Sequence, residues 1–378
     1  MKIGFYSHNI VTLERYWEKL KDKTDCWWGV PEKALYDVLK DKGIKKISYH
    51  PEKYQKNFGV KKGNRFVSTE PKKAQKAIAN EIDPDIWIAD NSNKLNYVSE
   101  RSFRVQTFNS IPMKKYYFYE PVLNYDLILL PGQHHKNEFV KRFNLKENDK
   151  RFKIVGWPRV DDLVCGSYDR NKIMSMAGLD PNKKTVMYAP TWGWGHGNEA
   201  LFARWFDRET EIFEKLCKEI TKKNLNFIVR LHSLSFNTNK KELTDIAKKY
   251  NVLWQTKETS NFRDDPNKYL WITDILISDL SGIISEFMVL DRPVIYIDPD
   301  KSIDPWNDCD ISKDFRAGHI IKTLEELLEA IDDSILYPRR YREKRKEFLS
   351  KIYYCLDGKS TNRAVEAILD FAANKGLK

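Results

Sequence analysis

Three short stretches carry residues whose types and spacing could do chemistry. In "DILISDLSGIISEFMVLDRP" (274–293), Asp279 ends an apolar run, and Ser281 and Gly282 stand where a helix with the spacing of "IISEFMVL" would begin. Ser281 can cap that helix, and Gly282 lets a ligand approach the backbone. Free N–H groups and the positive end of the helix dipole make phosphate the natural guest, although water would also satisfy such a cap. In "YAPTWGWGHG" (188–197), Thr191 follows a second apolar run and can donate to a phosphate, while Trp192 can stack on a base. "FIVRLHS" (227–233) ends a third run with Arg230, His232 and Ser233. Singly, each is explained by an ion pair, a helix cap or plain surface. Three consecutive polar strand ends point instead to an anion site.

Residues of this kind need elements to hold them. Apolar β-prone runs recur along the chain: "KIGFYSH", "KKISYH", "DIWIAD", "FRVQTF", "DLILLPG" and "FKIVGWP", then "KTVMYAPT", "LNFIVRLH", "VLWQT", "DILISD", "PVIYID" and "HIIK". Amphipathic stretches such as "KKAQKAIANEI", "HKNEFVKRF" and "EIFEKLCKEITKK" lie between them. Strand alternating with helix predicts parallel α/β sheets covered on both faces, and the pattern occurs twice. The 378 residues suit two domains. The polar, turn-rich stretch 165–184 is the preferred boundary. The expected architecture is GT-B: two doubly wound, Rossmann-like domains facing each other across a cleft. The acceptor-side domain is expected over 1–168 and the donor-binding domain over 169–358, with a helix at 359–378 crossing back to the first. Ligands of such sheets bind at the carboxyl ends of the strands.

Composition narrows the partners. Lys and Arg exceed Asp and Glu by 65 to 54, a net charge of +11, which favours an anionic partner or an acidic membrane surface. Basic clusters at "KKGNR", "PKKAQK" and "PRRYREKRKEF" are candidate membrane contacts, or else solvated helix faces. No nucleic-acid-binding motif is present. No apolar run reaches membrane-spanning length, and "MKIGFYSHNI" reads as a first strand rather than a signal peptide. Five scattered cysteines without a CxxC pair fit reduced thiols in a cytoplasm and argue against a structural zinc or a disulfide framework.

"YAPTW", "RLH", "DILISDLSGIISEF" with "RPVIYID", and the earlier "IVGWPRVDDL" resemble the CDP-glycerol glycerophosphotransferase family, the teichoic acid primases and polymerases. The resemblance runs in order over about residues 105 to 335. It implies a GT-B fold acting at the inner face of the cytoplasmic membrane. The implied reaction transfers glycerol phosphate from CDP-glycerol to a lipid-linked acceptor, with release of CMP and without a catalytic metal or other cofactor. By the same resemblance His232 contacts the donor phosphates, and Ser281 and Gly282 form the donor-phosphate turn, flanked by Asp279 and Glu286. Glu286 would accept hydrogen bonds from ribose or polyol hydroxyls. Gly156, Pro158, Arg159 and Asp161 match an interdomain "G-x-P-R" signature.

The chain departs from the family at one place. A Trp-His-Gly motif whose histidine serves as acceptor-side base is replaced in "QTFNSIPMKK" by Phe108, Asn109 and Ser110, while Gln106, Thr107 and Pro112 persist. An amide cannot take a proton near neutral pH as imidazole does. His8 is one substitute; His134 and His135 are others. The substitution keeps two rivals open. One is a GT-B glycosyltransferase using a nucleotide sugar for surface glycans, and the other is a nucleotide-binding protein without turnover.

Overall fold

The computed structural model describes residues 1–7, 10–50, 60–62, 65–67, 72–90, 101–111, 117–118, 120–191, 210–231, 240–255, 265–279, 281–297 and 316–377. His8, Trp192, His232 and Ser233 lie outside the described residues. The chain divides into two compact units. The first comprises Met1–Pro112, Tyr116–Arg159 and Ile352–Lys378; the second is formed chiefly by Val160–Lys351.

In the first unit the chain runs β1 (Lys2–Tyr6), α1 (Ile10–Leu20), β2 (Asp25–Val30), α2 (Lys33–Asp41), β3 (Ile47–Tyr49) and a small antiparallel hairpin of β4 (Val60–Lys62) and β5 (Arg65–Val67). It continues through α3 (Lys72–Ile82), β6 (Ile86–Ala89), β7 (Phe103–Gln106), β8 (Leu127–Leu130), α4 (Gln133–Phe143) and β9 (Phe152–Ile154). Seven strands make one sheet in the order β3-β2-β1-β6-β7-β8-β9, every pair parallel. β6 and β8 are buried along their whole length, as strands covered on both faces must be. The chain first builds outward through β2 and β3, then returns to the other side of β1, so the order reverses between β1 and β6.

The second unit repeats this plan. After the short helices α5 (Asp161–Cys165) and α6 (Arg170–Met176) come β10 (Thr185–Tyr188), α7 (Thr210–Lys222), β11 (Asn226–Arg230), α8 (Lys240–Lys249) and β12 (Leu253–Gln255). Then follow α9 (Pro266–Ile272), β13 (Ile275–Ser278), α10 (Ile283–Met288), β14 (Val294–Ile297), β15 (Gly318–Ile321), α11 (Leu324–Leu336) and α12 (Arg342–Ile352). Six parallel strands run β12-β11-β10-β13-β14-β15, so the order reverses between β10 and β13. Val186, Tyr188, Val229, Ile275, Ile277 and Ile295 pack with Phe213, Leu216 and Leu327 in one buried cluster. Each such side chain contributes about 1.5–3 kcal/mol of burial.

Aspartates set the sheets' starting edges. Asp85, Asp126 and Asp274 each precede a strand and accept the N–H of a neighbouring strand: Lys2 at 2.7 Å, Arg104 at 2.8 Å and Thr185 at 2.8 Å. These bonds satisfy edge donors that would otherwise be stranded.

β2 has no counterpart among the strands expected from sequence. Its "DCWWGV" contains Gly29, a residue depleted in strands. The glycine is needed because a Cβ there would press on Ile78 of α3, the helix laid over β2.

The last helix, α13 (Ser360–Asn374), belongs to the first unit. Phe371 meets Phe103 edge-on at 5.5 Å, and the Arg363 Nε donates to the Val155 carbonyl at 2.8 Å. Gly156 has φ +89°, and a Cβ would collide with the Ser360 hydroxyl and the Tyr354 carbonyl. The glycine of the "G-x-P-R" signature is therefore the seat of the returning chain.

Candidate functional site

The carboxyl ends of β11, β10 and β13 are neighbours on one edge of the second sheet, because those strands are adjacent and parallel. That edge gathers Arg230, Thr191, Asp279, Ser281 and Gly282, and its order reverses between β10 and β13, where ligands of such sheets bind. Asp279 is buried, and both its carboxylate oxygens accept the Thr191 N–H, at 2.9 and 3.0 Å. This bond ties the loop after β10 to the turn after β13. The Arg230 Nη1 donates to Gln255 Oε1 at 2.8 Å, and the guanidinium lies over the Tyr269 ring at 5.4 Å.

The turn itself differs from expectation by one residue. The N-cap of α10 is Gly282, not Ser281, so the capping residue has no side chain to bond the first-turn N–H groups. Gly282 has φ −59°, open to any residue, so what glycine supplies is the absence of a side chain. The Ser281 carbonyl accepts the Ile284 N–H at 3.1 Å, and Ser285 Oγ donates to the Gly282 carbonyl at 2.7 Å. Glu286 faces inward from α10 and is 3% exposed.

In the first unit, Asn109 follows β7 after a left-handed corner at Phe108, φ +61°. Gln106 Oε1 shapes that corner by accepting the N–H groups of Thr107 and Phe108, each at 3.0 Å. Arg159 of the "G-x-P-R" signature donates from Nη1 to the Asn109 carbonyl at 3.0 Å, and the Tyr117 hydroxyl approaches Asn109 Oδ1 at 3.5 Å. Asn109 is thus fixed in place by main-chain and side-chain contacts, not loosely exposed.

His135 lies in the first turn of α4 and is fully buried; its ring nitrogens have no well-formed hydrogen bond among the described residues. Burial, with the neighbouring His134 adding to it, pushes its pKa down to about 3. His134 beside it is partly exposed.

Two residues at the corresponding edge of the first sheet escaped sequence reasoning. The Ser7 hydroxyl donates to Asp90 Oδ2 at 2.8 Å, both groups buried, where the strand order reverses between β1 and β6. Asp90 occupies the place that Asp279 holds in the second unit. The signal was available: "DIWIADNS" (85–92) and "DILISDLS" (274–281) share Asp, Asp and Ser at the same spacing.

Two all-parallel, doubly wound α/β units in one chain, each with polar groups gathered where its strand order reverses, define the GT-B class. The wall teichoic acid polymerase TagF has this fold: its structure superposes with a TM-score of 0.70 at 18% identity, covering 99% of this chain and 89% of that one. The chain belongs to the CDP-glycerol:poly(glycerophosphate) glycerophosphotransferase family, whose model matches residues 5–370. It is 30% identical over 233 residues to the teichoic acid ribitol-phosphate polymerase TarL of Staphylococcus aureus, covering 60% of this chain and 38% of TarL. A teichoic acid poly(glycerol phosphate) polymerase of Bacillus spizizenii is 28% identical, over 67% of this chain and 61% of that protein. Against the S. aureus teichoic acid glycerol-phosphate transferase the identity is 24%, over 96% of this chain and 97% of that protein. The chain therefore spans under two fifths of the first relative, a little under two thirds of the second and nearly the whole of the third.

Proposed function

We propose that this protein is a transferase that moves glycerol phosphate, or a related polyol phosphate, from a CDP-activated donor to a membrane-lipid-linked acceptor in wall polymer synthesis. The observation that carries this reading is the convergence of Thr191, Arg230, Asp279 and the Ser281–Gly282 turn on one sheet edge of a family member. The donor diphosphate rests at the Ser281–Gly282 turn, with Thr191 and Arg230 beside it, and His232 serves as a further phosphate contact. Trp192 and Ser233 complete the donor side, and Glu286 serves the ribose or polyol hydroxyls.

The acceptor oxygen attacks the β-phosphorus, the bond to CMP breaks, and the acceptor proton passes to a base. Charge on the departing CMP is met by fixed donors, a preorganised electrostatic contribution, and no metal is required. Asn109 positions the acceptor and cannot itself take the proton. His135, buried and held neutral, is unsuited to that task, which falls to His8 or His134. The enzyme works in the cytoplasm, peripherally on the inner membrane face. Among the described residues no helix is long and apolar enough to cross a membrane.

Asn109 in place of the family histidine favours a second reading, sugar transfer from a nucleotide sugar on the same fold. Products separate the two. Purified protein supplied with CDP-glycerol and a lipid-linked acceptor is expected to release CMP and add glycerol phosphate to the acceptor. Release of a nucleoside diphosphate from a UDP-sugar, with CDP-glycerol left intact, would replace this reading with the second.

A further inference from the structure

The turn between α11 and α12 holds two large apolar side chains in water: Leu336 is 69% and Tyr337 58% exposed. Single exposed apolar residues are ordinary, but here an adjacent pair sits beside a strongly basic segment. From Leu336 to Lys346 the chain carries six basic residues and one acidic one, although Arg342 and Arg345 are paired with Asp291 and Arg340 with Asp333. Arg339, Arg340, Lys344 and Lys346 are all exposed. Of these, Arg339 and Lys344 have no ion-pair partner among the described residues, whereas the one acid, Glu343, is paired with Lys346.

The tip is held rigidly rather than left to fold its apolar residues inward. Arg345 is 1% exposed and braces the turn. Its Nη2 donates to the Pro338 carbonyl at 3.1 Å and to Asp291 Oδ1 at 2.9 Å; its Nε donates to the same Oδ1 at 3.0 Å. The Tyr337 N–H closes α11 on the Asp333 carbonyl at 2.7 Å, and the Arg340 guanidinium lies over the Tyr337 ring at 5.0 Å. Asp333, in turn, is held by Arg340 and by His319 Nε2 at 2.7 Å.

We propose that the α11–α12 tip is the docking surface for an anionic lipid bilayer. Leu336 and Tyr337 enter the boundary between headgroups and acyl chains, and the surrounding arginines and lysines meet lipid phosphates. Aromatic and aliphatic side chains ringed by cations match that interface in both polarity and charge. A second copy of the chain fits poorly, since it would set one cationic tip against another. Nucleic acid would use the charges and leave Leu336 in water. The inference rests on the lipid-linked acceptor of the proposed function, and it gives that acceptor's membrane a place on the molecule.

The test is co-sedimentation of the full chain with vesicles of phosphatidylglycerol and phosphatidylcholine, against vesicles of phosphatidylcholine alone. The wild type is expected to bind only the anionic vesicles, and less as salt rises. Leu336→Glu with Tyr337→Glu, and separately Arg339→Glu with Lys344→Glu, should each weaken binding about tenfold or more. Their melting temperatures and their turnover of a short, water-soluble acceptor should match the wild type. Unchanged vesicle binding by both variants overturns the inference, as does a concentration-dependent dimer that the variants abolish. Loss of binding in protein that turns over no CDP-glycerol would leave the docking surface standing and remove the transferase reading instead.

Discussion

Asn109 stands where the sequence resemblance leads one to expect a histidine, and its surroundings fix it in place. The Gln106 carboxamide, the left-handed Phe108 and the Arg159 guanidinium build a fixed corner for a side chain that has no basic nitrogen. In the proposed reaction the acceptor-side proton goes to another group, and His232 is the donor-side histidine expected from sequence. Replacing His232 with Ala is expected to lower kcat by about a hundredfold or more without shifting Tm, read from CMP release and a thermal melt. Equal turnover at equal stability would remove His232 from the site. His135 supplies a second prediction. Its folded pKa, about 3, lies far below the ordinary 6.5, because burial disfavours the cation. Between those values the unfolded chain binds the extra proton, so stability is present above about 6.5 and is lost as pH falls through the window. The slope approaches about 1.4 kcal/mol per pH unit for this one group. Urea unfolding of His135→Phe should show a flatter acid limb than the wild type, and matching limbs would contradict the buried, neutral imidazole.

At the scale of elements, strand ends matter more than strand interiors. The polar ends were legible because a polar residue closing an apolar run is visible locally: Thr191 after "VMYAP", Arg230 after "FIV" and Asp279 after "ILIS". The helix cap was placed one residue early, since Ser281 and Gly282 both suit a cap and only the backbone decides between them. β2 was not legible, because Gly29 answers a contact with Ile78, about fifty positions away in sequence. Gly156 shows the same limit, as its partners Ser360 and Tyr354 lie some two hundred residues on. At φ +89° beneath that returning segment, Gly156→Ala meets both backbone strain and a collision. A loss of about 1–3 kcal/mol is expected in chemical denaturation. Stability within a few tenths of wild type would mean that the return of the chain does not depend on this seat.

At the scale of the molecule, two units repeat one plan: a parallel sheet, a reversal of strand order, and a buried aspartate beside it. Asp90 and Asp279 hold equivalent places, yet their edges differ in charge and chemistry. The second unit's edge carries Arg230, Thr191 and a helix that starts at a glycine, the groups proposed to hold a diphosphate. The first unit's edge carries Ser7, Asp90 and the Asn109 corner, suited to hydroxyl groups. The alternation of apolar runs and amphipathic stretches was enough to expect two such units. The pairing of β1 with β6 and of β10 with β13, which creates the two reversals, is set by contacts between segments far apart. A crystal of the protein soaked with CDP-glycerol measures the central claim most directly. The account predicts diphosphate density against the N–H groups at Gly282, within hydrogen-bond reach of Thr191 and Arg230. Density for the nucleotide bound elsewhere, with that corner of the second sheet untouched, would contradict it.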